Sequence, residues 1–379
     1  MRRLFLFPVL VLFLSLVSFE ITPAQNQTGN PQLTPASAPL TTPGNQNTIT
    51  SLSNLPDADM LIYLNPQRIL NEVVPKVMPA KDVESMLKDF EEAKKNFGVD
   101  PRAVQYIVVA VRFRKPTAEL KFQPPEALLV ASGDINAESL IALARMASGG
   151  KLRDETYGAK TLGLMTIDPI AKEAEKNPFL RGFSEVGIVA LNGNTVAAGT
   201  PGYLRAAIDA GDGKERISAE TLNSLARDSS ALVSVAGRPW HSFGKSFGLM
   251  GTEATERTPR CDTKIGDFYA SVTMDATNFM LRGAMNEDNP DTAKIVSNLL
   301  TGLLGFAGST VKDPAAQSML KNLVITPEGD EIMLKADFPQ QMLVELIKEQ
   351  MKPKKEADAV TAPKTPTKPR PKRRTRRRA

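Results

Sequence analysis

Side chains able to do covalent or acid–base chemistry are few in this chain and poorly partnered. Ser242 and Lys245 stand in the order S-x-x-K, in which one helical turn brings an amine to the hydroxyl it would deprotonate. The spacing recurs at Ser85/Lys88, Ser148/Lys151 and Ser318/Lys321, and the companion K-T-G and S-D-N motifs are missing. Spacing alone therefore selects little. Gly244, Lys245 and Ser246 end a partial G-x-x-x-x-G-K-[ST] loop. Its first glycine position holds Pro239, which lacks the N–H that a phosphate cradle uses. His241, the only histidine, adjoins Trp240, the only tryptophan, and base catalysis would need a partner that the sequence does not identify. Cys261, also single, has Arg260 and Lys264 nearby to lower its thiol pKa and Asp262 to oppose them. One Cys and one His exclude a disulfide framework within the chain and any multi-Cys or His-rich metal centre. Glu287, Asp288 and Asp291 flank Asn289-Pro290 and could offer oxygens to calcium, but they depart from the D-x-[DN]-x-[DN]-G spacing. They read as a solvated loop opening a helix, whose N-terminus favours acids. No cofactor is expected, and no residue is assigned a catalytic role.

The positions of charge are more informative. The chain has 379 residues, with 47 Lys+Arg against 42 Asp+Glu and a net charge of +5. Apolar residues at 42% and charged residues at 23% are ordinary globular values and exclude a wholly disordered chain. Arg2 and Arg3 precede an apolar stretch from Leu4 to Phe19, followed by the small residue Ala24. That order is an export signal over residues 1–24. The stretch is shorter than the ~20 residues that cross a bilayer, so no integral span is expected after cleavage. Residues 25–54, rich in Gln, Asn, Thr, Pro and Ser, form a disordered spacer.

Residues 352–379 carry twelve Lys/Arg against Glu356 and Asp358, a net of +10. The rest of the chain, with Arg2, Arg3 and Glu20 of the signal set aside, is then about −6. This tail also holds five prolines and is expected to be extended. Its end, Lys372, Arg373, Arg374, Arg376, Arg377 and Arg378, is the candidate binding site, for polyanions held through charge rather than sequence. Behind an export signal those polyanions are anionic envelope lipid or polymer.

Residues 55–351 are the folded part. Strands are expected at Met60–Leu64, Tyr106–Phe113, Ala127–Ala131, Val186–Leu191, Thr195–Gly199, Ala231–Ala236, Phe268–Met274, Asn278–Ala284, Asn322–Thr326 and Glu331–Ala336. Helical periodicity marks Pro79–Phe97, Ala137–Ala147, Pro201–Ala210, Pro290–Phe306 and Pro339–Met351. Asn192-Gly193-Asn194 suits a tight hairpin, Pro201 and Pro339 suit first helical turns, and Thr200 suits an N-cap. In Pro290–Phe306 the pairs Ile295/Val296, Leu299/Leu300 and Leu303/Leu304 form one stripe, expected to face the core opposite Ser297, Asn298, Thr301, Gly302 and Gly305, with a lipid-contacting or partner-binding groove as the alternative.

The order of elements repeats. "LPDADMLIYLNPQRIL" opens one half and "LARDSSALVSVAGRPW" the other. "GIVALNGNTVAAGTPGYLRAAID" and "NLVITPEGDEIMLKADFPQQMLVELIK" close them, each as strand, turn, strand, Pro and helix. The fold class is therefore α+β, in two similar halves, 55–213 and 214–351, with antiparallel hairpins and each sheet covered by helices. This layout resembles exported bacterial proteins with tandem α+β repeats, on the "LPDADMLIYLNP" opening and the hairpin-to-helix closures. The resemblance implies an exported protein and carries over no catalytic residue.

The function expected is that of a periplasmic or extracellular, envelope-associated binding or scaffold protein that contacts anionic surface material through its tail, with a protein partner for the body. An envelope-polymer hydrolase using Ser242/Lys245 or His241 is the first alternative. A secreted nucleic-acid binder acting through the tail is the second, and the acidic body argues against it.

Overall fold

The computed structural model describes residues 52–113, 125–167, 184–238, 267–311, 314–342 and 344–345. The two termini therefore lie outside the described residues, as do Trp240, His241, Ser242, Lys245 and Cys261. The expectations placed on them, including the spacer and the tail, are left where the sequence put them.

Runs rich in Val, Ile and Leu become strands because branched side chains pack well on a pleated surface. The strands, of which β4 alone lacks such residues, are β1 (Met60–Leu64), β2 (Val104–Arg112), β3 (Glu126–Gly133), β4 (Arg153–Tyr157), β5 (Lys160–Thr166), β6 (Glu185–Asn192), β7 (Thr195–Gly199), β8 (Val233–Gly237), β9 (Phe268–Met274), β10 (Asn278–Asn286), β11 (Val324–Glu328) and β12 (Glu331–Pro339). All twelve join one antiparallel sheet in the order β11-β12-β10-β9-β8-β1-β2-β3-β7-β6-β5-β4. The expectation of a sheet for each half is thereby corrected. β1 and β8 pair antiparallel at the centre, with Ile62 opposite Val235, and the pairing makes the sheet continuous.

The helices are α1 (Pro66–Arg68), α2 (Val74–Val77), α3 (Ala80–Phe97), α4 (Ala137–Ala147), α5 (Pro201–Gly211), α6 (Ala219–Leu225), α7 (Pro290–Thr310) and α8 (Pro314–Asn322). A π-helical turn at Ile69–Val73 joins α1 to α2. The helices cover both faces of the sheet rather than one.

On the first face, Leu61, Val108, Leu128, Leu162, Val189 and Ala197 pack with Tyr203, Leu204 and Ile208 of α5 and with Leu222 and Leu225 of α6. On the second face, α4 sets Ile141 on Ala131 and Val196. Val77 of α2 meets Val233, Val272 and Phe279, and α7 meets Phe268, Met285 and Ile332. The pairings Ala131↔Val196, Ile107↔Ala131, Leu64↔Ile107, Leu64↔Val233 and Val233↔Val272 put these second-face contacts on one side of the sheet.

A buried polar group ties α5 to the sheet centre. Arg112 pairs with Glu126 at 2.6 Å and lies 4.7 Å over the Tyr203 ring. The Tyr203 hydroxyl donates to the Asp57 carbonyl at 2.9 Å. Burial pushes the Tyr203 phenol far above its ordinary value, so it stays a donor. Thr200 stands at the N-cap position of α5, but its hydroxyl makes no capping bond and is buried without a partner.

Leu61 is fully buried and sits on the one strand that pairs with both β2 and β8. Leu61→Ala should cost ~2–5 kcal/mol, the usual range for a leucine deleted from a packed core. Chemical denaturation followed by circular dichroism measures this. A loss under about 1 kcal/mol would mean that the central pair is not packed as described.

Candidate functional site

Helix α7 is where the outer surface departs from ordinary packing. Asn289 caps it, accepting the Thr292 N–H at 2.9 Å, and Pro290 occupies the first turn. The helix ends where Val311 turns extended, its N–H bonded to the Ala307 carbonyl.

Successive helical residues are about 100° apart, so the paired apolar positions cannot all face one sheet. Ala293, Val296 and Leu300 form the seated row, against Phe268, Met285, Ile325 and Ile332. Ser297 faces inward with them, 2% exposed. The neighbouring row is left outside: Ile295 is 69% exposed, Leu299 61% and Leu303 53%. The expectation of a single core-facing stripe is thus corrected. The seat selects small and medium residues around Ala293, which is fully buried, and turns the second leucine row away.

The outer face is nearly free of charge. From Thr292 to Thr310 the only ionisable residue is Lys294. Three of the hydroxyls donate back to carbonyls of the helix itself: Thr301 to Ser297 at 2.8 Å, Ser309 to Phe306 at 2.7 Å and Thr310 to Ala307 at 3.0 Å.

At the root of α7, Glu287 is only 6% exposed and both of its carboxylate oxygens lack a hydrogen-bond partner. The solvated loop expected here is therefore corrected at this residue. Its N–H donates to the Asp330 carbonyl at 2.8 Å, which holds the chain beneath the β11–β12 turn. Burial, with a smaller push from the Asp288 charge, raises its pKa above the ordinary carboxylate range. Asp288 and Asp291 are exposed. Among the described residues no group of three or more His, Cys, Asp or Glu is placed to hold a metal.

In two of the serine–lysine spacings within the described residues, one member is engaged elsewhere. On α3, Lys88 pairs with Glu84 at 3.0 Å. At the end of α4, the Ser148 hydroxyl donates to the Arg145 carbonyl at 2.7 Å. Ser318 and Lys321 lie one turn apart on α8. The basic residues Lys372, Arg373, Arg374, Arg376, Arg377 and Arg378 lie outside the described residues. Sequence periodicity found α7 and its leucines but missed which row is seated, because both rows carry the same residue types.

The raised Glu287 pKa has a definite sign. Below the ordinary glutamate range the group is neutral in folded and unfolded chains alike, so it is without effect. Above that range the unfolded chain ionises first and stability falls with rising pH. Glu287→Gln should therefore raise the melting temperature at pH 7.5 and leave it nearly unchanged at about pH 4, the ordinary glutamate value. Equal shifts at both values in calorimetry would show that Glu287 titrates normally.

No protein-family model and no curated protein matches the chain. Two solved structures, crystal forms III and I of the protein TP0453, are similar to it at 10% and 9% identity, with TM-scores of 0.39 and 0.38. Each match covers 79% of this chain, and 97% and 96% of the respective TP0453 chains.

Proposed function

We propose that this protein is an exported, envelope-associated binding or scaffold protein. Its polybasic C-terminal segment contacts anionic surface polymers or lipids, and its α+β body presents a further contact surface. The observation that carries the reading is the outward row Ile295, Leu299 and Leu303 on α7, an aligned ridge that holds three of the six exposed large apolar residues among those described. The distribution of charge supports it. The +10 of residues 352–379 is set against a body of about −6, so attraction to a negative surface belongs to one end of the chain. The arginine pair followed by an apolar stretch supports export.

The same reading takes the body as a duplication. The strand order supports it: outward from the centre, β1-β2-β3-β7-β6 on one side mirrors β8-β9-β10-β12-β11 on the other, with β4–β5 as an added hairpin. A two-fold axis between Ile62 and Val235 would exchange them. Helices α4 and α7, which follow β3 and β10, share a sheet face and the same Asn cap, Asn136 and Asn289. On the shorter α4, Met146 stands at the place of Leu299 and is likewise exposed, whereas Ala142 stands at the place of Ile295 and the helix ends before the place of Leu303.

Each Lys or Arg near an anionic surface contributes about 1 kcal/mol and loses it as salt rises. Co-sedimentation of the protein with isolated envelopes should therefore weaken steeply over a salt series. Removing residues 352–379 should abolish most of the binding at low salt. Unchanged low-salt binding without those residues would end the assignment of the tail.

A further inference from the structure

We infer that α7 is a lipid-contacting helix. It lies in the plane of an anionic leaflet with Ile295, Leu299 and Leu303 entering the boundary between headgroups and acyl chains. This names the occupant of the surface described above and rests on the envelope reading. Four observations select lipid over another occupant.

The ridge is narrow and convex. Six large apolar residues among those described are exposed, and three of them lie on this one helix. Leu87 and Met146 lie on α3 and α4, and Val324 opens β11. A specific protein interface covers about 800 Å² on each partner, built around a broad apolar centre, and three aliphatic side chains do not supply one. A fluid leaflet needs no complementary groove.

Three hydroxyls of the helix ask for little. Thr301, Ser309 and Thr310 donate within the helix, so the outer face can leave water without stranding those hydroxyls. A protein-binding surface would instead present them to a polar rim.

Charge sets the orientation. The body of about −6 is repelled by an anionic leaflet. The outer face of α7 carries no carboxylate between Thr292 and Thr310, and Lys294 is its one charge. A single weak apolar contact gives marginal membrane binding, and firm binding takes a second signal such as a polybasic segment.

The described chain ends on the same side of the sheet. Val344, near the end of the described chain, packs against the buried cluster of Val77, Leu232 and Phe279 on the second sheet face, the face that seats α7. Only a few residues separate it from the twelve cations that begin at Lys352. The apolar ridge and the basic segment can therefore meet one surface together. No described helix is long and apolar enough to cross a membrane, so the contact is interfacial.

The test is flotation of the protein with vesicles of phosphatidylcholine alone and with added phosphatidylglycerol, alongside sedimentation velocity. Leu299→Glu/Leu303→Glu changes two exposed side chains and should leave the melting temperature unchanged. It should weaken binding to the anionic vesicles at least about tenfold, the loss of two apolar contacts. Leu299→Trp should keep or strengthen binding, because Trp favours the interface. Wild-type binding by the double Glu variant overturns the inference, as does a wild-type protein that floats with neither vesicle. A variant that floats normally but loses a dimer in sedimentation assigns the ridge to a second copy and also overturns it. Deleting residues 352–379 reports on the tail separately. If that deletion loses binding while the Glu variant keeps it, the envelope reading stands and the α7 assignment falls.

Discussion

The pairing of β1 with β8 is the constraint on which the rest of the molecule depends. β1 is five residues long, yet it is hydrogen-bonded on both sides, to β2 and to β8. Ladder bonds on both edges and a fully buried Leu61 leave it no slack. The pairing fuses what would be two smaller sheets into one, and a single long antiparallel sheet must cover both faces. That is why α5 and α6 lie on one face while α2, α4 and α7 lie on the other. The segment between α5 and α6 is tied at the same place. The Asp57 N–H donates to the Glu215 carbonyl, and the Ile217 N–H to that of Leu55.

The same constraint leaves two free edges, β4 and β11. Each is blunted in a way that opposes further pairing. β4 carries Arg153 and Asp154, which form ion pairs with Glu185 and Arg145 at 2.8 and 2.7 Å. β11 is five residues long, contains Pro327, and holds Glu328 in a pair with Lys335. With its edges closed and its faces packed, the sheet offers little that is sticky. The apolar ridge of α7 stands out against that background.

Much of this architecture was legible in the chain. Met60–Leu64, Thr195–Gly199, Phe268–Met274 and Ala137–Ala147 have the expected bounds, because each is apolar-periodic and flanked by turn residues or a cap. β4 and β5 were missed. Arg153–Tyr157 is polar as an edge strand must be, and Lys160–Thr166 is interrupted by Gly163, whose missing side chain makes room for Leu152. α6, seven residues with only Leu222 and Leu225 as long apolar side chains, lies below the length at which periodicity speaks. Continuity of the sheet was beyond local reading altogether. Nothing in "MLIYL" or "VSVAG" says that they are partners, since register is a tertiary choice between strands about 170 residues apart.

The candidate site was half legible for a related reason. Leucine pairs announce an amphipathic helix but leave open which row meets the sheet. That depends on close approach at Ala293 and Ser297, a property of the seat and not of the stripe. The result places two violations of ordinary packing on one element. Aliphatic side chains face outward along α7, and at its root Glu287 is buried without a partner. Scattered exposed leucines need no explanation, but an aligned row joined to a buried carboxyl runs against the consistency that stabilises a fold. The outer row contributes nothing to seating, and the carboxyl opposes burial of the junction whenever it ionises. Because Ile295, Leu299 and Leu303 already stand outside, an apolar environment covering them would leave the seat at Ala293 and Ser297 undisturbed.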